Sequence, residues 1–297
     1  MRIFVTGASG FIGSAVTKEL IGAGHKVVGF ARSDDAAKVV AGLGAEVLRG
    51  ALTDLDALRK GAQEADGVAH LAFIHDFSKF AENGQIDKAA IEAMGEVLAG
   101  SGKPLVVSSG TAMIAPGQLA TEDMRSATNE MTPRVSEQLA FGLAGKGIRS
   151  SAIRLAPAVH GMSDHLGFRA GFVSYAMQVA QEKGVSAYVG DGANRWNLVH
   201  AGDAAKLYRL ALEKGTAGAA YHAVGEEGVP IKAIAEAIGK TLKLPVQSIA
   251  PEKAGEHFGF LGMFLSLDLP VSSAKTQAEL GWKPVGPTLF EDMAANL

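Results

Sequence analysis

Short runs of β-branched and small apolar residues alternate with amphipathic stretches through the first half of the chain. The β-like runs are Arg2–Thr6, Lys26–Ala31, Ala45–Arg49, Gly67–Ala72, Pro104–Ser109 and Ser150–Leu155. Alternation of this kind predicts parallel strands joined by crossover helices. The runs at 67–72 and 104–109 are continuously apolar or small, as in central strands covered on both faces. The expected fold class is α/β, a Rossmann-type doubly wound parallel sheet. Beyond about residue 158 the pattern loosens, with His160–Asp164 and Tyr188–Asn194 rich in Gly, Asp and Asn. That predicts a smaller C-terminal substrate-binding cap. The run Ala219–Val224 still reads as a strand, so the cap is expected to be interleaved with the sheet. On this division residues 1–158 plus about 196–225 form the sheet domain, and about 159–195 plus 226–297 form the cap. No internal repeat interrupts the pattern.

The segment Thr6-Gly7-Ala8-Ser9-Gly10-Phe11-Ile12-Gly13 joins the first strand to the amphipathic stretch Phe11–Ile21, which closes at Gly22–Gly24. The first glycine permits a tight turn, the second lets backbone approach a pyrophosphate, and the third lets helix and strand pack closely. The helix N-terminus offers unpaired N–H groups to phosphates. Gly7, Ser9, Gly10, Phe11, Ile12 and Gly13 are therefore expected to bind a dinucleotide. With 37 glycines in the chain a bare triplet would mean little; the strand–turn–helix context gives it weight. The second strand ends at Ala31-Arg32-Ser33, where an NAD-selective site carries an acid for the ribose 2′-hydroxyl. A guanidinium there can grip a 2′-phosphate, and a serine hydroxyl can add a hydrogen bond. Arg32 and Ser33 predict NADP(H) as the cofactor of the sheet domain. The alternative is a surface Arg32 paired with Asp34 or Asp35.

Composition narrows the partners. The net charge is −3, charged residues make up 20% of the chain and no basic run stands out, which argues against nucleic acid or an anionic membrane. The absence of cysteine excludes disulfides, thiolate catalysis and Cys-ligated metals, and agrees with a reducing compartment. No stretch approaches ~18 apolar residues, and the chain opens on a strand, Met1–Val5, instead of a signal-type segment. A cytoplasmic location is expected. His70 and His75 are five apart, as are His160 and His165, and no His-Glu-x-x-His occurs, so no metal site is predicted.

Further motifs carry a family resemblance. They are Asp66-Gly67-Val68-Ala69-His70-Leu71-Ala72, Val106-Val107-Ser108-Ser109, Arg154-Leu155-Ala156-Pro157-Ala158-Val159-His160-Gly161, Val199-His200-Ala201-Gly202-Asp203-Ala204-Ala205 and Leu280-Gly281-Trp282-Lys283-Pro284. With the glycine turn, they make the chain resemble, nearly end to end, the extended short-chain dehydrogenase/reductases, the family of sugar epimerases and dehydratases. The resemblance implies that Leu71, Ala72, Phe73 and Ser108 run beside the nicotinamide riboside, and that Pro157 and Val159 belong to a turn facing the carboxamide. The acid often found near the adenine after the third strand is replaced by Ala51, followed by Leu52. The resemblance also implies homodimers through the helices flanking the fourth and fifth strands.

The likeness breaks at the catalytic centre. The family's general acid/base is a Tyr four residues before a Lys, which lowers the phenol's pKa. Alignment places Asn129 and Pro133 there, with Pro133 as the expected first residue of a helix capped by Thr132. None of the four tyrosines is followed by Lys at that spacing. The family's Ser or Thr falls on Gly110, leaving Ser109 and Thr111 on either side, and its helix Asn falls on Asp87. Candidates for the missing acid are His160, at the nicotinamide end, and His75, which follows the fourth strand beside Asp76; Tyr188 and Arg134 are further ones. Three functions are carried forward. The first is an NADP(H)-dependent oxidoreductase reducing a ketone or aldehyde on a small, fairly apolar molecule. The second is a non-catalytic NADP(H)-binding redox sensor, and the third a sugar-nucleotide epimerase or dehydratase.

Overall fold

A computed structural model describes residues 1–125 and 134–297. The expected alternation is present as β1 (Arg2–Thr6), α1 (Phe11–Gly22), β2 (Lys26–Ala31), α2 (Asp34–Gly42), β3 (Glu46–Arg49), α3 (Leu55–Gln63), β4 (Gly67–His70), α4 (Phe80–Leu98), β5 (Pro104–Gly110), α5 (Ser136–Ala144) and β6 (Arg149–Leu155). There follow β7 (Ala158–Ser163), β8 (Gly167–Ala170), α6 (Phe172–Lys183), β9 (Ser186–Val189), β10 (Arg195–His200), α7 (Ala201–Lys214), β11 (Ala220–Ala223), β12 (Glu226–Pro230), α8 (Ile231–Leu242) and β13 (Val246–Ile249). The chain then runs through α9 (Ala254–Phe258), α10 (Leu261–Leu265), α11 (Ala274–Leu280) and α12 (Leu289–Asn296).

Seven strands pair in parallel in the order β11-β6-β5-β4-β1-β2-β3. Successive side chains of a strand face opposite sides. Ile3, Val5, Ala69, Val106 and Ile153 therefore pack with Val16 and Leu20 of α1 and Leu207 and Tyr208 of α7. Phe4, Val68, Leu105 and Val107 pack on the other side with Leu58, Ile91, Met94 and Leu143 of α3, α4 and α5. Burial on both faces is why these strands read as continuous apolar runs. The strand order reverses between β1 and β4, and that reversal opens a crevice at the carboxyl ends of the two strands.

A second sheet, ordered β12-β10-β7-β8, carries a separate apolar core with α6, α8, α9 and α10. Interleaving holds, because α7 and β11 return the chain to the main sheet. The boundaries differ from those expected in two places. β10, assigned to the sheet domain, pairs with β7 and β12 in the second sheet. The segment around α11, assigned to the cap, places Leu280 and Trp282 in the core beneath α7, where Trp282 Nε1 donates to the Asp203 carbonyl at 2.9 Å. Local apolar pattern marks burial but not which core receives it. Asp203, from the family-like Val199–Ala205 motif, accepts the amides of Val285 and Gly286, and Trp196 Nε1 donates to the Phe264 carbonyl, so both anchor the C-terminal segment.

A buried ion pair fastens α5 to β6 and β11. Arg154 is fully buried and grips Glu137 with two nitrogens, one at 2.7 Å. Its Nη1 also donates to His222 Nε2 at 2.9 Å. A guanidinium only donates, so His222 Nε2 accepts, and Nδ1–H donates to the Ser272 carbonyl at 2.7 Å. Burial, together with the Arg154 charge, pushes the His222 pKa down to about 4 against the stabilising Ser272 bond. A histidine with its folded pKa depressed contributes stability that is complete above its ordinary pKa near 6.5 and is lost as pH falls towards 4. Urea unfolding between pH 7 and 4 is therefore expected to show wild type losing stability faster than His222→Gln, by up to about 1.4 kcal/mol per pH unit. Equal slopes would contradict it.

Candidate functional site

The crevice begins where β1 turns into α1. Gly7 sits at φ +72°, a conformation that disfavours side chains, and a Cβ there would lie 2.8 Å from the Ala72 amide nitrogen. A Cβ on Gly13 would fall 1.9 Å from the Gly7 carbonyl oxygen. The turn is thus closed against β4 and α1 by contacts only glycine allows. Gly10 N donates to Gly7 O at 2.9 Å and caps α1, which has no side-chain cap and no acid in its first turn. Its first-turn amides are left for an anion, reinforced by the helix dipole. The shape and dipole of this cradle suit a dinucleotide's diphosphate.

The cradle is the middle of one cavity of about 1040 Å³. Of the residues expected to hold cofactor, Gly7, Ser9, Gly10, Phe11, Ile12, Gly13, Arg32, Leu52, Leu71, Ala72, Phe73 and Ser108 line it. Arg32 is exposed at one end with Phe30, Gly50, Ala51 and Thr53. Asp34 pairs with Arg49 at 2.7 Å and Asp35 with Lys38 at 3.3 Å, so the two acids that competed for Arg32 are engaged elsewhere. Ser33 is not on the wall; its hydroxyl accepts the Ala36 amide at 3.2 Å and caps α2. Pro157 and Val159 do not line the cavity either. Pro157 O accepts the Phe172 amide, and Val159 is buried in the α1/α7 core.

At the other end stand Phe73, Ile74, His75, Asp76, Ser108, Arg134 and Leu155, and Arg169 also lines the wall. Arg134 is held from three sides. Its Nε donates to Ser136 Oγ at 2.7 Å and lies 3.4 Å from Asp87 Oδ2, its Nη2 donates to the Ser108 carbonyl at 2.9 Å, and its guanidinium covers the Phe73 ring at 4.2 Å. Among the described residues no acceptor engages Nη1. His75 meets the edge of the same Phe73 ring at 5.5 Å. Burial, and then the Arg134 charge, lower its pKa below the ordinary value.

Asp87, 1% exposed, lies behind the wall as the hub of this end. Its carboxylate accepts His70 Nε2–H at 3.1 Å and the Ser136 hydroxyl. His70 Nδ1 then accepts the Thr6 hydroxyl at 2.8 Å, whose oxygen receives the Ala72 amide at 3.2 Å. Burial alone would raise the Asp87 pKa, but His70, Arg134 and Ser136 outweigh it and hold the carboxyl below its usual range. Asp87 is therefore a support, not a group that meets substrate.

Three other catalytic candidates lie off the cavity wall. Thr111 is 1% exposed and donates to Asn197 Oδ1 at 3.0 Å. His160 is fully buried, bonded to Asp292 Oδ2 at 2.8 Å and 5.6 Å from the His200 ring, where burial lowers its pKa against the pull of Asp292. Neither lines the cavity, and neither does half-buried Ser109. The Ser108 hydroxyl donates to the His70 carbonyl at 2.9 Å and so receives the buried Tyr208 hydroxyl at 2.7 Å. Its single proton is committed. Asn129, Thr132 and Pro133 lie outside the described residues. Arg169 was missed because nothing near it in sequence marks a site; the β7–β8 pairing brings it to the wall. Among the described residues no group of three or more His, Asp or Glu side chains is disposed to hold a metal, and no helix is long and apolar enough to cross a membrane.

Comparison with known proteins agrees with this geometry. Residues 3–224 match the model of the NAD dependent epimerase/dehydratase family. The chain is 50% identical over 297 residues to an uncharacterized protein of Schizosaccharomyces pombe, covering 100% of this chain and 99% of that one. It is 26% identical over 242 residues to the sterol-4-alpha-carboxylate 3-dehydrogenase (decarboxylating) of Dictyostelium discoideum, covering 77% and 72%. It is 25% identical over 302 residues to the 4-hydroxy-2-methyl-3-oxo-4-farnesyl-3,4-dihydroquinoline-1-oxide ketoreductase of Stigmatella aurantiaca, covering 97% and 82%. A nucleoside-diphosphate-sugar epimerase from Pseudomonas aeruginosa superposes with a TM-score of 0.79 at 17% identity, covering 100% and 96%. With its parallel sheet, switch-point glycine turn and interleaved cap, the chain belongs to the NAD dependent epimerase/dehydratase family.

Proposed function

We propose that the protein is an NADP(H)-dependent oxidoreductase that reduces a ketone or aldehyde on a small molecule. The observation that carries this is the single cavity joining Arg32, the glycine turn and the Arg134–Phe73–His75 cluster. The exposed Arg32, with no acid paired to it among the described residues, suits a 2′-phosphate, and the glycine cradle suits the diphosphate. The names of the dehydrogenase and ketoreductase relatives support carbonyl–alcohol chemistry.

The nicotinamide supplies the hydride when bound. Arg134 offers Nη1–H groups to the carbonyl oxygen as negative charge develops there. Its other contacts fix it before reaction begins, so little reorganisation opposes that stabilisation. Protonated His75 delivers the proton that completes the alcohol, and neutral His75 accepts it in the reverse direction. Asp87 and Ser136 position Arg134, and Phe73 sets its plane.

Arg32→Ala is expected to weaken NADPH binding tenfold or more, about 1.4 kcal/mol, and to leave NADH binding unchanged. Fluorescence titration with both nucleotides checks this; an unchanged NADPH affinity would refute the 2′-phosphate assignment. For a carbonyl found in a screen with NADPH, Arg134→Gln should lower kcat about a hundredfold with little change in NADPH affinity. A near-normal kcat would remove Arg134 from the mechanism. The rate of reduction should fall as pH rises through the His75 pKa, which lies below the ordinary 6.5. Arg134→Gln should move that midpoint upward, and a profile without a midpoint in that range would exclude His75.

A further inference from the structure

The β7–β8 hairpin belongs to the second sheet by its pairing, Gly161 against Arg169 and Ser163 against Gly167, but its tip rests on the first domain. At the tip His165 Nε2 lies 2.8 Å from the Ser9 carbonyl oxygen, in the middle of the glycine turn. A carbonyl only accepts, so Nε2 carries the proton, and Nδ1 accepts from Ser163 Oγ at 3.2 Å. Asp164 pairs with Lys18 of α1. The Ser9–Gly10 peptide is thereby held at both ends: its carbonyl by His165, its N–H by Gly7 O. The glycine turn leaves that carbonyl without a partner of its own, and the hairpin provides one.

The hairpin also brings charge. Alternation along β8 sends Phe168 into the second core, against which it packs, and Arg169 to the opposite side, on the cavity wall. Arg169 is exposed, spends one N–H on the Phe168 carbonyl and has no carboxylate partner among the described residues. The turn itself contains no basic residue; its attraction for phosphate comes from backbone amides alone. The base of the hairpin packs closely on the Pro157 backbone. Gly171 follows at φ +53°, and a Cβ there would lie 2.5 Å from the Pro157 carbonyl oxygen.

We propose that this hairpin completes the diphosphate site, with Arg169 as the cationic ligand and His165 as the residue that positions the turn. The inference rests on the dinucleotide reading of the cavity. On this proposal the hairpin, tied to the turn by His165–Ser9 and to α1 by Lys18–Asp164, holds the dinucleotide in place, so cofactor release requires those contacts to give way. Retention is then shared by two sheets, and it acts on what NADPH and NADH have in common.

Stopped-flow displacement and equilibrium fluorescence titration of the whole chain test this. Arg169→Gln and His165→Ala should each raise the dissociation rate and Kd about tenfold for NADPH and NADH alike. His165→Gln, which can still donate to Ser9 O, should recover most of the loss. Arg169 is exposed, so its variant decides the matter even if His165→Ala fails to fold. Wild-type binding with unchanged dissociation from Arg169→Gln and from every folded His165 variant would overturn the clasp and leave the cofactor reading standing. Failure of wild type to bind either nucleotide would overturn both.

Discussion

A single buried carboxylate, Asp87, braces one end of the cavity in this protein. A charge taken out of water without partners costs several kcal/mol, so the fold must bring donors to it. It does so with three residues: His70 at the end of β4, Ser136 at the start of α5, and Arg134 just before that helix. His70 passes the constraint to Thr6, the residue that leads into the glycine turn. The phosphate cradle and the cluster at the other end of the cavity therefore share one hydrogen-bonded frame. Because the Asp87 pKa is held low in the folded state, that frame is complete above the ordinary carboxyl range and loses stability only as pH falls below it.

This frame accounts for how the chain departs from the pattern its family motifs suggest. Ser108 and Thr111 keep their hydroxyls, but both protons are committed to buried acceptors. Arg134 instead presents a guanidinium flattened against Phe73, with no acceptor on its Nη1 among the described residues. An arginine fixed by three neighbours is a preorganised donor, and its charge also pushes His75 towards the neutral form. A phenol and its lysine are one means of stabilising a developing oxyanion; a braced guanidinium is a different one.

What was legible in the sequence was whatever local pattern determines. The glycine turn, the order of strands and helices and the place of Arg32 at the end of β2 follow from spacing within a few residues, whereas the Leu71–Phe73 wall is implied by the family resemblance. The misses came from contacts across long separations. His160 looked like a candidate acid beside the sixth strand, yet Asp292, 132 residues on, packs it into the interior. Thr111 flanked the expected position but is turned onto Asn197 of β10, a strand whose membership in the second sheet has no local mark. Ser33 was expected at a phosphate and caps a helix instead, a role its sequence context also allows. The β7–β8 pairing, which has no local mark, is what carries His165 to the glycine turn and Arg169 to the cavity wall.

The central claim is that the cavity brings a nicotinamide and a carbonyl together for direct hydride transfer. It is tested by single-turnover reaction of the protein with NADPH deuterated separately at each face of the nicotinamide C4. The account predicts deuterium on the carbinol carbon of the product from one labelled face and none from the other. NADPH that binds stoichiometrically but delivers no deuterium to any of a broad set of ketones and aldehydes would contradict it.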